Sequence, residues 1–236
     1  MLGGTTSPLQ RDIKIKICGI TSIGDARLAA DSGVDYIGVI VGVDFSLRCL
    51  TVEQARLICE QASLPVVVLV CNWTTEEIQS VIATLNPYAV QLLGQESPSL
   101  VKTLKGMAVC ELWKVIHLPP QGMEDVDVIE IIDRANSLVD IGVDAIVIDT
   151  VVSSPGGSKR YGGTGQVSNW ATARQLVEAI SVPTFLAGGI NPENVQQAIG
   201  IVHPYGIDLC SGVERIHGRK DAEKLRRLIS VARGVS

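Results

Sequence analysis

Short apolar runs rich in β-branched residues recur along the chain at 13–18, 36–41, 66–71, 89–93, 109–116, 145–149, 184–187 and 207–210. Bounded runs of this length predict buried strands. In the intervals the apolar positions fall at helical spacing, as with Ala26, Ala29 and Ala30 in the first and Ala173, Leu176, Val177 and Ile180 in the sixth. Strand and helix therefore alternate from one end to the other, the pattern of an α/β domain.

The joints repeat as well. Ser32-Gly33-Val34-Asp35, Ile141-Gly142-Val143-Asp144 and Tyr205-Gly206-Ile207-Asp208 each put a glycine where a helix should stop and a strand begin, and glycine accepts the left-handed conformation that closes a helix. Ser63-Leu64-Pro65 and Ser181-Val182-Pro183 mark two more such joints. No G-x-G-x-x-G follows the first strand, as an open dinucleotide-binding sheet would require, and near-equal spacing of the units favours closure. The expected fold is a single-domain (β/α)8 TIM barrel over residues 12–236, with residues 1–11 a flexible N-terminal extension.

Composition sharpens this picture. Of 236 residues 46% are apolar and only 4% aromatic, so a large core must be mostly aliphatic, as buried parallel sheets are. A formal net charge of −5 argues against general attraction to nucleic acid or anionic membrane. The basic stretch at 215–227 reads as the solvated face of a final helix. No run approaches a membrane span, and the first residues lack the apolar segment of a secretory signal; a soluble, cytoplasmic protein is expected. The six cysteines show no C-x-x-C spacing, which speaks against a metal site or redox dithiol.

In a barrel of this kind the active site lies at the C-terminal ends of the strands. Those positions hold Cys18-Gly19, residues 44–48, Asn72, Gly94-Gln95-Glu96, Asp149, Gly188-Gly189 and Ser211-Gly212. The glycines at the last two ends sit where such barrels hold a phosphate, since backbone N–H groups can approach an anion there unhindered. Asn191-Pro192-Glu193 predicts a helix start close by. The Gly-rich stretch 151–165 reads as a long loop covering the site, with Lys159 and Arg160 adding positive charge. Cys18 and Asp149 are the titratable pair facing a common bowl, one suited to a thiolate base and the other to a neutral acid.

These strand ends resemble the phosphoribosylanthranilate isomerase family of tryptophan biosynthesis. The matching segments run from about Lys14 to Ile229: Lys16-Ile17-Cys18-Gly19-Ile20-Thr21, Val90-Gln91-Leu92 with Gly94, Gly162-Gly163-Thr164-Gly165 followed by Trp170, Leu186-Ala187-Gly188-Gly189-Ile190, and Asp208 with Ser211-Gly212-Val213-Glu214. The resemblance implies a cofactor-free, metal-free Amadori rearrangement of N-(5-phosphoribosyl)anthranilate to 1-(2-carboxyphenylamino)-1-deoxyribulose 5-phosphate by a monomer or homodimer. It implies Asp149 as general acid and Cys18 as general base. Arg48 would contact the anthranilate carboxylate, Gly163, Thr164, Gly165 and Asp208 the substrate, and Gly188, Gly189, Ser211 and Gly212 the phosphate. The chain departs from the family pattern at Leu47 (Pro), Leu93 (His), Asn169 (Asp) and Cys210 (Ser), and the first two lie where the aromatic half of the substrate would sit. A paralogue acting on another aminoaldose phosphate and a non-catalytic phosphate-binding barrel remain open as alternative readings.

Overall fold

The computed structural model describes residues 13–107, 110–120, 122, 127–153, 159–161 and 167–234. The expected extension at 1–11 lies outside them. Eight parallel strands form the barrel: β1 (Lys14–Ile17), β2 (Tyr36–Val41), β3 (Val66–Val70), β4 (Ala89–Leu92), β5 (Glu111–Leu118), β6 (Ala145–Ser153), β7 (Thr184–Leu186) and β8 (Gly206–Leu209). Each pairs with the next, and β1 pairs with both β2 and β8, which closes the ring. Among the described residues eight helices alternate with them: α1 (Ile23–Asp31), α2 (Val52–Gln61), α3 (Thr75–Leu85), α4 (Pro98–Met107), α5 (Val128–Ile141), α6 (Trp170–Ala179), α7 (Val195–Val202) and α8 (Ala222–Arg233).

The helices begin where side chains satisfy their first N–H groups. Thr51 with Gln54 and Thr74 with Glu77 form capping boxes at α2 and α3, and Asp127 and Asp221 cap α5 and α8. Asn169 accepts from the N–H groups of Ala171 and Thr172 at the start of α6, a role asparagine and aspartate share. Its difference from the family pattern thus preserves the helix start.

Two of the three glycine joints behave as expected, Gly33 and Gly142 having φ of +82° and +104°. Gly206 does not: the left-handed turn after α7 falls on His203 (φ 53°), and Gly206 lies inside β8. There a Cβ would meet the Phe185 ring at 2.4 Å, so that glycine serves close packing. The start of α7 also differs. Asn191 accepts from the N–H groups of Glu193 and Asn194, but the helix proper begins at Val195, a turn later than the Asn-Pro pair suggests.

Alternation along each strand sends one face to the surrounding helices and the other into the barrel. On β1 the isoleucines Ile15 and Ile17 join the large core under the helices, while Lys16 and Cys18 take the opposite phase. One aromatic cluster fills the opposite end of the barrel from the strand C-termini: Trp113 stacks on Phe185 at 4.8 Å, and Tyr36 meets both edge-on. That plug leaves the C-terminal end as the open one.

The stretch after β6 is not a plain loop. β6 runs on to Ser153 and pairs antiparallel with Lys159–Tyr161, so the strand continues as a hairpin above the barrel. The β-branched Val151-Val152 pair favours extended backbone there.

Candidate active site

A pocket of about 110 Å³ opens at the C-terminal ends of the strands. Cys18, Arg48, Asp149, Gly188, Gly189, Asp208, Ser211 and Gly212 all line it, so the structure brings these expected site residues together. Gly163, Thr164 and Gly165 lie outside the described residues.

One end of the pocket is backbone. Gly188 and Gly189 have φ of +82° and +65°, and a Cβ on Gly188 would stand 2.1 Å from Thr150 Oγ1. A Cβ on Gly212 would stand 2.1 Å from the Ile190 carbonyl oxygen. Glycine is thus demanded at both by the close approach of two strand-end turns. The turns are braced: Asn194 Nδ2 donates to the Gly189 carbonyl at 2.9 Å, and Asn194 Oδ1 accepts from the Asn191 N–H at 2.9 Å. Ser211–Val213 follows as a single 3-10 turn. Such side-chain-free, turned backbone is suited to an anion.

The floor is charged. Lys16 and Asp208 are register partners on β1 and β8, and their side chains form a buried ion pair of 2.6 Å. Burial disfavours the Lys16 ammonium, but Asp208, with Cys18 and Cys210 adding to it, more than offsets this and raises the lysine. Asp208 Oδ2 takes that bond, while Oδ1 is buried without a partner. Cys18, two residues along β1, lies beside Gly38, whose missing side chain leaves room for the sulfur: a Cβ there would be 3.0 Å from Sγ. Burial pushes the Cys18 thiol up to about 12, with Lys16 opposing the rise and Asp208 and Cys210 adding to it.

Asp149 shares the inward phase of β6 with Ala145 and Val147. Its Oδ1 accepts from the Thr150 N–H at 2.7 Å. Burial pushes the carboxyl up to about 7; the Thr150 bond pulls it down and the charge of Asp208 pushes it further up. A carboxyl in that range keeps a transferable proton near neutral pH. The pocket therefore brings together a carboxyl that titrates near neutral pH and a thiol that stays protonated there.

The third wall carries Arg48. Its Nε and Nη2 donate to Glu214 at 2.7 and 2.5 Å, and Nη2 lies 3.3 Å from His217 Nδ1. Lys220 joins the same carboxylate at 3.1 Å and donates to the Cys18 carbonyl at 2.6 Å. Burial would raise the Glu214 carboxyl, but these two cations hold it down. Gly19 permits the arrangement, since a Cβ there would be 2.6 Å from Arg48 Cδ and 2.7 Å from Cys210 Sγ. Arg48 thus reaches the pocket already fixed along one edge of its guanidinium. At the rim stand Phe45 and Leu47, 52% and 70% exposed.

The ends of β3 and β4 are spent on each other. Glu96 Oε1 accepts from the Asn72 and Gly94 N–H groups at 3.0 and 2.9 Å, Asn72 Oδ1 accepts from the Gln95 N–H at 2.7 Å, and Lys114 pairs with Glu96 at 3.0 Å. Asn72, Gly94 and Glu96 therefore hold loops in place, and on this side the pocket is lined by Leu69, Gln91 and Leu93. His117 Nε2 lies 2.8 Å from the Leu93 carbonyl, and burial pushes the ring down to about 4, keeping it neutral. Among the described residues no group of three or more His, Cys, Asp or Glu side chains is placed to hold a metal, and no helix is long and apolar enough to cross a membrane.

Sequence reasoning gave no role to Lys16, Gln91, Glu214 or Lys220. The phase of β1 could have found Lys16, which shares the inward face with Cys18. Glu214 meets Arg48, and Lys220 the Cys18 carbonyl, only once the barrel closes, and local spacing carries no trace of that.

The family model described as N-(5'phosphoribosyl)anthranilate (PRA) isomerase matches residues 15–231. An N-(5'-phosphoribosyl)anthranilate isomerase of Methanocella arvoryzae is 35% identical over 223 residues, covering 93% of this chain and 98% of that one. The enzyme of that name from Methanocaldococcus jannaschii is 34% identical over 94% of this chain and 98% of its own. Among solved structures, phosphoribosyl anthranilate isomerase from Thermotoga maritima superposes with a TM-score of 0.77 at 28% identity, covering 94% of this chain and all of that one. A phosphoribosyl anthranilate isomerase in complex with reduced 1-(o-carboxyphenylamino)-1-deoxyribulose 5-phosphate gives a TM-score of 0.75 at 27% identity, covering 94% of this chain and 100% of that one.

Proposed function

The chain belongs to the N-(5'-phosphoribosyl)anthranilate isomerase family, and on that premise we propose how its pocket performs the isomerisation of tryptophan biosynthesis. The reaction converts N-(5-phosphoribosyl)anthranilate to 1-(2-carboxyphenylamino)-1-deoxyribulose 5-phosphate. Gly188, Gly189, Ser211 and Gly212 hold the phosphate, which fixes the sugar with its reacting carbons over the floor.

Asp149 gives its proton to the furanose ring oxygen. The C1–O bond breaks as the anthranilate nitrogen supplies its lone pair, leaving an open-chain iminium. Cys18 then takes the C2 proton, and those electrons neutralise the iminium to an enolamine that tautomerises to the ketone. The order follows from the electrostatics: burial holds Cys18 as a thiol, and the iminium formed by proton transfer from Asp149 adds the positive charge that draws it towards thiolate. Arg48, held by Glu214 along Nε and Nη2, presents Nη1 to the carboxylate of the anthranilate ring, and the apolar side chains of Leu47 and Leu93 flank that ring. Asp208 Oδ1 accepts from a sugar hydroxyl.

The observation that carries these roles is the raised carboxyl of Asp149 in one pocket with Cys18 and the turned glycine backbone. The solved relative holding a product-like phosphosugar supports the same use of the pocket, and the dimeric phosphoribosylanthranilate isomerase of Thermotoga maritima fits operation as a monomer or homodimer. Expression in a tryptophan auxotroph lacking this isomerase tests the proposal. Growth without tryptophan is expected, and failure to grow despite abundant folded protein would favour a phosphate-binding barrel without this activity.

A further inference from the structure

Gln91 sits at the middle of the pocket wall in surroundings that give it nothing to bind. It is 2% exposed on β4, in register with Leu69 on β3 and Trp113 on β5, with Leu93 next on the same face. Its Oε1 is buried without a hydrogen-bond partner, and no described residue bonds its Nε2. Exchanging the amide oxygen and nitrogen leaves the same result, because neither atom has a partner. A buried carboxamide without hydrogen bonds is unfavourable, and the leucines beside it show what packing alone would select.

In the closed ring β4 stands across from β8. There the other orphaned acceptor of the pocket, Asp208 Oδ1, is buried and also lines the cavity. Two unsatisfied polar groups thus face one another across the space between the glycine turns and the apolar rim. A ligand that satisfies both carries hydrogen-bonding groups at two points along its chain. A carboxamide offers a donor and an acceptor side by side, the complement of a hydroxyl, which is both.

We propose that Gln91 is a specificity-determining residue whose carboxamide hydrogen-bonds a hydroxyl of the sugar chain on the side away from Asp208, so that the pocket selects a polyhydroxylated phosphosugar. This rests on the isomerase reading for its substrate and deepens it. A group kept for a ligand leaves a distinct signature: its removal costs binding and costs the empty protein nothing.

The test compares wild type with Gln91→Met, which keeps the length and volume, and with Gln91→Glu, which keeps an acceptor. Thermal melting is followed without ligand, with inorganic phosphate and with ribulose 5-phosphate, and kcat/KM is measured on N-(5-phosphoribosyl)anthranilate. Gln91→Met is expected to melt at or above the wild-type temperature and to keep the shift given by inorganic phosphate. It is expected to lose most of the extra shift given by ribulose 5-phosphate, and about 10- to 100-fold in kcat/KM. Gln91→Glu should recover part of the ribulose 5-phosphate shift. A less stable Gln91→Met protein, or one with the wild-type ribulose 5-phosphate shift, overturns the proposal. Wild type that binds ribulose 5-phosphate in a Gln91-dependent way without turning over the anthranilate substrate removes the isomerase reading and leaves Gln91 in this role.

Discussion

Replacing Asp149 by asparagine should make the protein more stable at alkaline pH while stopping the reaction. The side chains are nearly isosteric, and the amide oxygen of the asparagine would still accept from the Thr150 N–H that Asp149 Oδ1 holds at 2.7 Å. Burial raises the folded-state carboxyl from 3.8 to about 7. At about 1.4 kcal/mol per tenfold, the ionised form is disfavoured in the folded chain by on the order of 4 kcal/mol. The sign follows from linkage. Below about pH 4 both folded and unfolded chains carry the proton, and Asp149 adds no pH dependence. Between about 4 and 7 the unfolded chain releases it and the folded chain keeps it, so stability falls as pH rises; above about 7 the loss is complete. The other carboxylates titrate alike in both proteins and cancel in the difference between them. Urea unfolding at pH 4.5 and 8.5 should show the advantage of Asp149→Asn growing by about 3 kcal/mol across that span. A difference that does not change with pH would refute the buried, raised carboxyl, and with it the general acid. In wild type the same group predicts that kcat/KM declines as pH rises through about 7.

Two further predictions come from the same pocket. With its thiol pushed up to about 12, Cys18 should be alkylated by iodoacetamide at pH 7.5 roughly 1,000-fold more slowly than an unperturbed cysteine, since the thiolate is the reacting form; peptide mass spectrometry reads this, and labelling at the ordinary rate would show that the thiol is not held high. Gly212→Ala places a Cβ 2.1 Å from the Ile190 carbonyl oxygen, so it should cost about 1–3 kcal/mol of stability and abolish the thermal shift given by inorganic phosphate, whereas an unchanged shift would take the phosphate away from that turn.

The barrel was legible because its signal is repetitive. All eight strands fall within a few residues of the apolar runs, and the helix-closing glycines at Gly33 and Gly142 mark their joints as expected. Gly206 misled because a glycine needed for packing under Phe185 looks the same in sequence as one needed for a turn. The hairpin of 151–153 with 159–161 was hidden by the glycines between its arms. In the site, the placement of Cys18 and Asp149 at strand ends that line the pocket was readable. Residues that act through a partner far away in sequence were not: Glu214 grips Arg48 across 166 positions, and Lys16 meets Asp208 across 192. Gln91 was hidden for a different reason, since its meaning lies in the partners it lacks.

The most direct measurement of the account is turnover of freshly generated N-(5-phosphoribosyl)anthranilate by purified wild type, Cys18→Ala and Asp149→Asn, followed by its fluorescence. Wild type should consume the substrate without added metal or cofactor, and each variant should lose at least about 100-fold while remaining folded. Full activity in either variant, or a folded wild type that leaves the substrate untouched, would contradict the roles assigned to this pocket.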